Sequence, residues 1–98
     1  MARNLYLLAY DISSPARYRA VHKIAKGHGA RLQLSVFRCE LSASEAASLW
    51  TRLDEAIHHR EDRIMIVDLG PADGVAESRT RWLGAPLEEE EPPGPTIV

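Results

Sequence analysis

The sequence predicts a small α+β domain, in which short apolar strands alternate with two amphipathic helices. Three observations carry that prediction. Apolar runs of strand length recur at residues 5–10, 30–34, 36–41 and 63–69. After the first run, and again after the third, the apolar period changes from that of a strand to that of a helix. The chain is 98 residues long, which suits one domain with a thin core.

Taken in order, residues 5–10 read as a central strand, apolar on both faces and covered on at least part of each. The run stops at Asp11, so a buried strand delivers one carboxylate to its end. Ser13 or Ser14 caps the helix that follows, and Pro15 suits its first turn, where a missing N–H leaves nothing unpaired. Over residues 17–28, Tyr18, Val21, Ile24, Ala25 and His28 share one helical face, and Arg19, His22, Lys23 and Lys26 another. Gly27 and Gly29 end the helix.

The runs at 30–34 and 36–41 lie so close together that a tight hairpin or a bent strand must join them. Ser42-Ala43-Ser44-Glu45 has the spacing of a capping box and starts a second helix over about residues 43–57. Its apolar stripe is Ala46, Leu49, Trp50, Leu53 and Ile57. His58, His59 and Arg60 stand at its C-terminal end, where positive charge is favoured. Residues 63–69 form the next strand, residues 70–74 a turn cluster, and residues 78–83 a short last strand with Arg79, Arg81 and Trp82.

This order gives a ferredoxin-like βαββαβ sandwich with an extra C-terminal strand. The sheet is small and the extra strand has no place in it. Donation of that strand to the sheet edge of a second copy answers both difficulties, so a homodimer is expected. Residues 1–84 form the ferredoxin-like domain; residues 85–98 form a flexible tail rich in Pro and Glu.

Composition narrows the classes. The lone Cys39 allows no internal disulfide, no apolar run is long enough to span a membrane, and no secretory leader pattern opens the chain. A cytoplasmic protein without membrane contact is expected. The formal net charge of -2 hides an asymmetry. Glu88, Glu89, Glu90 and Glu91 are consecutive, and once they are set aside the basic residues outnumber the acidic ones. A mildly basic body with an acidic tail makes nucleic acid a plausible partner.

The stretch Leu5-Tyr6-Leu7-Leu8-Ala9-Tyr10-Asp11-Ile12 resembles the first strand of the CRISPR-associated protein two family, the small subunit of the spacer-acquisition machinery. The stretch Arg31-Leu32-Gln33-Leu34-Ser35-Val36-Phe37-Arg38-Cys39-Glu40-Leu41 is similar to that family's Gln-aromatic-Ser-Val-Phe-Glu-Cys pattern. Glu61-Asp62-Arg63-Ile64-Met65-Ile66 continues the likeness, which covers residues 3 to about 69. Leu34 stands where an aromatic is usual and Arg38 where an acid is common. The resemblance implies a homodimer with exchanged C-terminal strands and a Mg²⁺ held between the two copies of Asp11. It implies endonuclease activity on single-stranded RNA or double-stranded DNA. It also implies a partnership with the integrase subunit, CRISPR-associated protein one, in inserting new spacers.

Two roles are open to Asp11: a helix cap or turn residue, and a catalytic metal ligand. Mg²⁺ is often held by one or two carboxylates plus waters and phosphate oxygens, and a twofold axis presents the same residue twice. Arg17 and Arg19, beginning just after Asp11, are candidates for phosphate-backbone contacts; Lys23, Lys26, Arg31, Arg38, Arg79 and Arg81 are weaker ones of the same kind. Ser35 orients a phosphate or satisfies a turn, and Phe37 is a core residue or lies near the active face. Together Arg17, Arg19, Ser35, Phe37 and Arg38 make the expected nucleic-acid-binding set. His22, His28, His58 and His59 make no zinc set with Cys39, although His22 has a possible role as general base. Cys39 reads as a small buried hydrophobe.

Three functional readings follow. The first is a Mg²⁺-dependent endonuclease of CRISPR adaptation. The second is a non-catalytic dimeric scaffold of the spacer-integration complex that binds duplex DNA. The third is a regulatory ferredoxin-like module that binds a metabolite.

Overall fold

The structure, a computed structural model, describes residues 2–87. Its elements are β1 (Asn4–Asp11), α1 (Pro15–Lys26), β2 (Ala30–Gln33), β3 (Val36–Leu41), α2 (Ala43–Ala56), β4 (Arg63–Pro71) and a single turn of helix, α3 (Val75–Ser78). The strands form one antiparallel sheet in the order β2-β3-β1-β4. This is the ferredoxin-like arrangement, with β1 in the interior beside β3 and β4.

Local chemistry sets the helix starts. Ser14, not Ser13, is the N-cap of α1: its hydroxyl accepts the Arg17 N–H at 3.3 Å, and Pro15 follows at the first helical position. The capping box of α2 is complete. Ser42 Oγ accepts the Glu45 N–H at 3.3 Å, and Glu45 Oε1 accepts the Ser42 N–H at 2.9 Å. Gly29 lets the chain leaving α1 pass against β3. A Cβ there would stand 2.3 Å from the Arg38 carbonyl oxygen and 2.7 Å from Cys39 Sγ.

Side chains alternate across the pleat. Leu8 and Tyr10 of β1 and Phe37, Cys39 and Leu41 of β3 face the helices, where they pack on Val21, Ala25, Leu49 and Leu53. At roughly 1.5–3 kcal/mol for each large apolar side chain buried, this cluster supplies most of the driving force for folding. The alternate residues Leu7, Ala9, Val36, Met65, Val67 and Leu69 point to the opposite face. Met65 is 53% exposed there and Leu69 41% exposed.

Several expectations need correction. Residues 79–83 form no strand within this chain; helix α3 takes up Ser78, and irregular backbone follows. The residues added to a sheet edge in the expected exchange would have to find that edge on another molecule. Trp50 was expected in the apolar stripe of α2 but is 59% exposed, because the stripe that meets the sheet is narrow and centres on Leu49 and Leu53. His22 belongs to the inner side of α1, beside Tyr10, and not to its basic face. Of the expected tail, residues 88–98 lie outside the described residues.

Candidate functional site

Strand β1 ends at Asp11, which is exposed. Its place on the pleat is the sheet face that the helices leave open. Register puts Arg63, the first residue of β4, directly across from it. Cross-strand partners on one face have Cβ atoms about 4.5–5.5 Å apart. On the other side of β1, the Tyr10 N–H donates to the Ser35 carbonyl oxygen at 3.1 Å, so the β2–β3 turn reaches the same end of the sheet. Asp11, Ser35 and Arg63 are thus gathered from three distant parts of the chain. Among the described residues, the Asp11 carboxylate has no side-chain hydrogen bond or ion pair.

A buried ionic clamp holds the loop that carries Asp11. Arg17 Nε donates to Asp62 Oδ2 at 2.7 Å, and its Nη2 reaches Glu61 Oε1 at 2.9 Å. Asp62 also accepts the Ser13 N–H at 3.1 Å and the His58 N–H at 2.8 Å. The Asp62 side chain is fully covered. Hydrogen bonding from Arg17, helped by the N–H groups of His58 and Ser13, holds its carboxyl well below the usual carboxylate range in spite of burial. The clamp ties the β1–α1 loop to the α2–β4 loop and so sets the position of both Asp11 and Arg63.

Behind the site lies an aromatic cluster. The Tyr10 hydroxyl and His22 Nδ1 are 2.8 Å apart, and Tyr18 and Phe37 pack around them. Burial above all, then the neighbouring Tyr18, pushes the Tyr10 hydroxyl well above its ordinary pKa. Tyr10 is therefore neutral at any physiological pH. The imidazole of His22 is turned inward, away from Asp11's face of the sheet.

The family model for CRISPR associated protein Cas2 matches residues 4–73, from the start of β1 to the turn after β4. The chain belongs to the Cas2 family. It is 40% identical over 74 residues to a CRISPR-associated endoribonuclease Cas2 of Rhodospirillum rubrum, a match covering 76% of this chain and 72% of that one. It is likewise 40% identical over 72 residues to one of Geobacter sulfurreducens, covering 74% and 76%. Among solved structures, a Cas2 of Streptococcus pyogenes superposes with a TM-score of 0.72 at 32% identity, covering 82% of this chain and 99% of that one.

Within this Cas2 fold the residues expected to bind nucleic acid separate into groups. Phe37 is fully buried in the core and offers no surface to a base, which corrects the reading of it as a contact residue. Arg17 is committed to Asp62 and Glu61, so it positions the loop and is not free to take a phosphate. Arg19 is exposed on α1, as are Lys23 and Lys26. Arg38 lies on the open sheet face, but opposite Leu7. It stands four residues back along β1 from Asp11, or about 13 Å.

Other Cas2-fold residues are plainly structural. Burial pushes the Cys39 thiol up to about 11, so it behaves as a small hydrophobe. His28 is bound to the Ile24 carbonyl oxygen and His59 to Asp54. Among the described residues, no group of three or more His, Cys, Asp or Glu is placed to hold a metal. No helix among them is long and apolar enough to cross a membrane. Two residues of this site escaped sequence reasoning. Asp62 and Arg63 figured only as the lead-in to a strand, the strand's first residue and part of the family-like stretch, with no role at the site. Their adjacency, an acid followed by a base just before an apolar run, was the available signal.

Proposed function

We propose that the protein is a Mg²⁺-dependent endonuclease of CRISPR adaptation. It cuts phosphodiesters in single-stranded RNA or double-stranded DNA and works with the integrase subunit, CRISPR-associated protein one, in spacer integration. The observation that carries this reading is Asp11: an exposed carboxylate with no side-chain hydrogen bond or ion pair among the described residues, at the end of a central strand whose following loop is tied down by Arg17 and Asp62. The name endoribonuclease borne by the relatives from Rhodospirillum rubrum and Geobacter sulfurreducens favours RNA.

A lone carboxylate suits a hard cation in donor chemistry but not in number. The open sheet face answers that shortage. Leu7, Ala9, Met65, Val67 and Leu69 form an apolar surface beside Asp11 that a second copy would bury. A twofold axis through this face brings two copies of Asp11 together, and those carboxylates would hold Mg²⁺. When bound, that ion acidifies a water molecule and offsets charge on a phosphodiester. The chain's own residues do the rest. Arg19 and Lys23 bind phosphates from α1, Ser35 supplies a hydroxyl at the strand end, and Arg38, beside Leu7 on the face a second copy would cover, contacts phosphate only where that cover leaves its guanidinium open. The Arg17–Asp62 clamp keeps Asp11 from swinging away.

The decisive experiment compares the wild type with Asp11→Ala on single-stranded RNA and on duplex DNA, with Mg²⁺ and with chelator. Cleavage that needs both the metal and Asp11 is the expected result. Cleavage that survives the substitution would place the chemistry elsewhere.

One observation favours a second reading, a non-catalytic dimeric scaffold that binds duplex DNA. Register sets Arg63 opposite Asp11, where a cation nearby would favour the carboxylate without a metal, although the two form no ion pair. On that reading neither protein cuts, and Asp11→Ala leaves binding to duplex DNA and to the integrase subunit intact.

A further inference from the structure

The first turns of α1 hold two loops at once. Arg17 reaches Asp62 in the loop before β4. The next residue, Tyr18, reaches the turn between β2 and β3, where its hydroxyl donates to the Leu34 carbonyl oxygen at 3.2 Å. That turn has little of its own to fix it. Gln33 pairs with Val36, so Leu34 and Ser35 form a two-residue loop, and neither has a positive φ. Two-residue hairpin loops favour type I′ or II′ turns, which need positive φ at one or both central residues; other turns splay the strands. The β2–β3 register also shifts between Arg31 and Gln33, just before the turn. Packing does not compensate, because the Leu34 side chain is 76% exposed. The turn is fixed from outside, by the Tyr10 N–H on the Ser35 carbonyl oxygen at 3.1 Å and by the Tyr18 hydroxyl on Leu34.

We propose that Tyr18 is a positioning residue, whose hydroxyl holds the Leu34–Ser35 turn so that the Ser35 hydroxyl stands at the Asp11 end of the sheet for a phosphate of bound nucleic acid. This rests on the reading of Ser35 as a phosphate contact. The Ser35 hydroxyl is available for that task, having no hydrogen-bond partner among the described residues. Tyr10 couples the turn to the carboxylate, since its N–H is bound to Ser35 and the residue after it is Asp11. The ring of Tyr18 has a separate role. It stacks on His22 with centroids 5.8 Å apart and meets Tyr10 edge-on at 5.7 Å. Loss of the hydroxyl alone therefore leaves this packing in place.

The test uses the full chain with Tyr18→Phe, with Ser35→Ala and with both. The first readout is amide hydrogen exchange without nucleic acid. In Tyr18→Phe the Tyr10 amide, which is bonded to the turn, should exchange about fivefold faster, the size that one neutral hydrogen bond supports. The Leu8 amide, further inside β1, should keep its rate. An unchanged Tyr10 rate overturns the proposal. An equal rise at Leu8 also overturns it, because Tyr18 would then support the whole fold and not the turn. The second readout is affinity for a short single-stranded RNA in chelator. Ser35→Ala should weaken binding about tenfold, near the low end for a hydrogen bond to a charged group, and Tyr18→Phe by a similar factor. The double variant should bind no more weakly than Ser35→Ala, because both substitutions act through one contact. Additive losses overturn the proposal, and so does full affinity in Ser35→Ala. Neither readout needs cleavage, so a protein that binds RNA without cutting it fails the endonuclease reading and still passes this test.

Discussion

Arg17 and Asp62 are 45 residues apart in sequence, and in the fold the Arg17 Nε lies 2.7 Å from a carboxylate that solvent does not reach. This contact joins the loop after β1 to the loop before β4. It also makes Asp62 the best-satisfied acid of the site, with side-chain and backbone donors around it. The catalytic candidate Asp11 is exposed, while the acid that steadies its loop is enclosed.

Replacement of Arg17 by Met should therefore destabilise the fold more than a surface substitution does. It leaves a covered charge without its main counterion. Thermal unfolding should drop by about 5–10 °C, a typical response for a domain of this size losing one or two kcal/mol. A drop of under a degree would mean that the clamp carries no weight.

Stability should also depend on pH through Asp62. Its folded-state pKa is depressed relative to the unfolded chain. Such a group stabilises fully above the unfolded value of about 4, and this contribution is lost as pH falls further toward the folded value. Melting temperatures measured between pH 2 and pH 6 should fall on the acid side of pH 4 in the wild type. In Asp62→Asn the curve should be flatter over that interval, from a lower starting point.

Phe37 separates packing from recognition. Phe37→Leu shrinks a fully buried ring in the helix-facing core, and about 1 kcal/mol of stability should be lost. Affinity for RNA or DNA at a temperature where the variant is folded should equal that of the wild type. A weakened affinity in the folded variant would return Phe37 to the binding surface.

Gly29→Ala should be among the most damaging single-methyl additions. The new Cβ meets the Arg38 carbonyl oxygen at 2.3 Å and Cys39 Sγ at 2.7 Å, and the first of these is backbone that cannot turn aside. Either β3 or the end of α1 must shift, so denaturant unfolding should show a midpoint well below the wild type. A control at Gly84, where nothing stands within 4 Å, tests strain from its φ of +98° alone.

Arg63→Gln removes the cation opposite Asp11. If Asp11 holds Mg²⁺, the Mg²⁺ concentration giving half-maximal cleavage should fall about two- to fivefold, the effect of deleting one cross-strand charge pair. An unchanged or raised requirement would show that Arg63 does not compete for that carboxylate.

Much of this molecule was legible before any coordinates. Helix α2 was marked by Ser42 and Glu45 because a capping box acts over three residues, within the reach of local sequence. Strand β3 was bounded correctly, at Val36–Leu41, by its own apolar run. Asp11 stood out as the first charge after an apolar stretch, and it is exposed at the strand end. Arg17 and Phe37 were harder. Phe37 lies in a stretch that resembles the family pattern and Arg17 in a basic helical pattern, and nothing local says whether a side chain faces solvent or a partner many residues away. Residues 78–83, expected as a strand for a second copy's sheet edge, are helix at Ser78 and irregular beyond it in the single chain, because a strand takes its form only when an edge pairs with it.

The order of strands and helices, the caps that start the helices and the placement of one carboxylate at the end of β1 were thus determined by the sequence alone. All are decided by hydrogen bonds and apolar periods spanning a few neighbouring residues. Which cation engages Asp62, which residue faces Asp11 across the sheet, and which ring fills the core were decided only by the tertiary structure. Those outcomes depend on strand register and on the packing of helices over one face, where a slip of one residue would exchange the two sides of every strand.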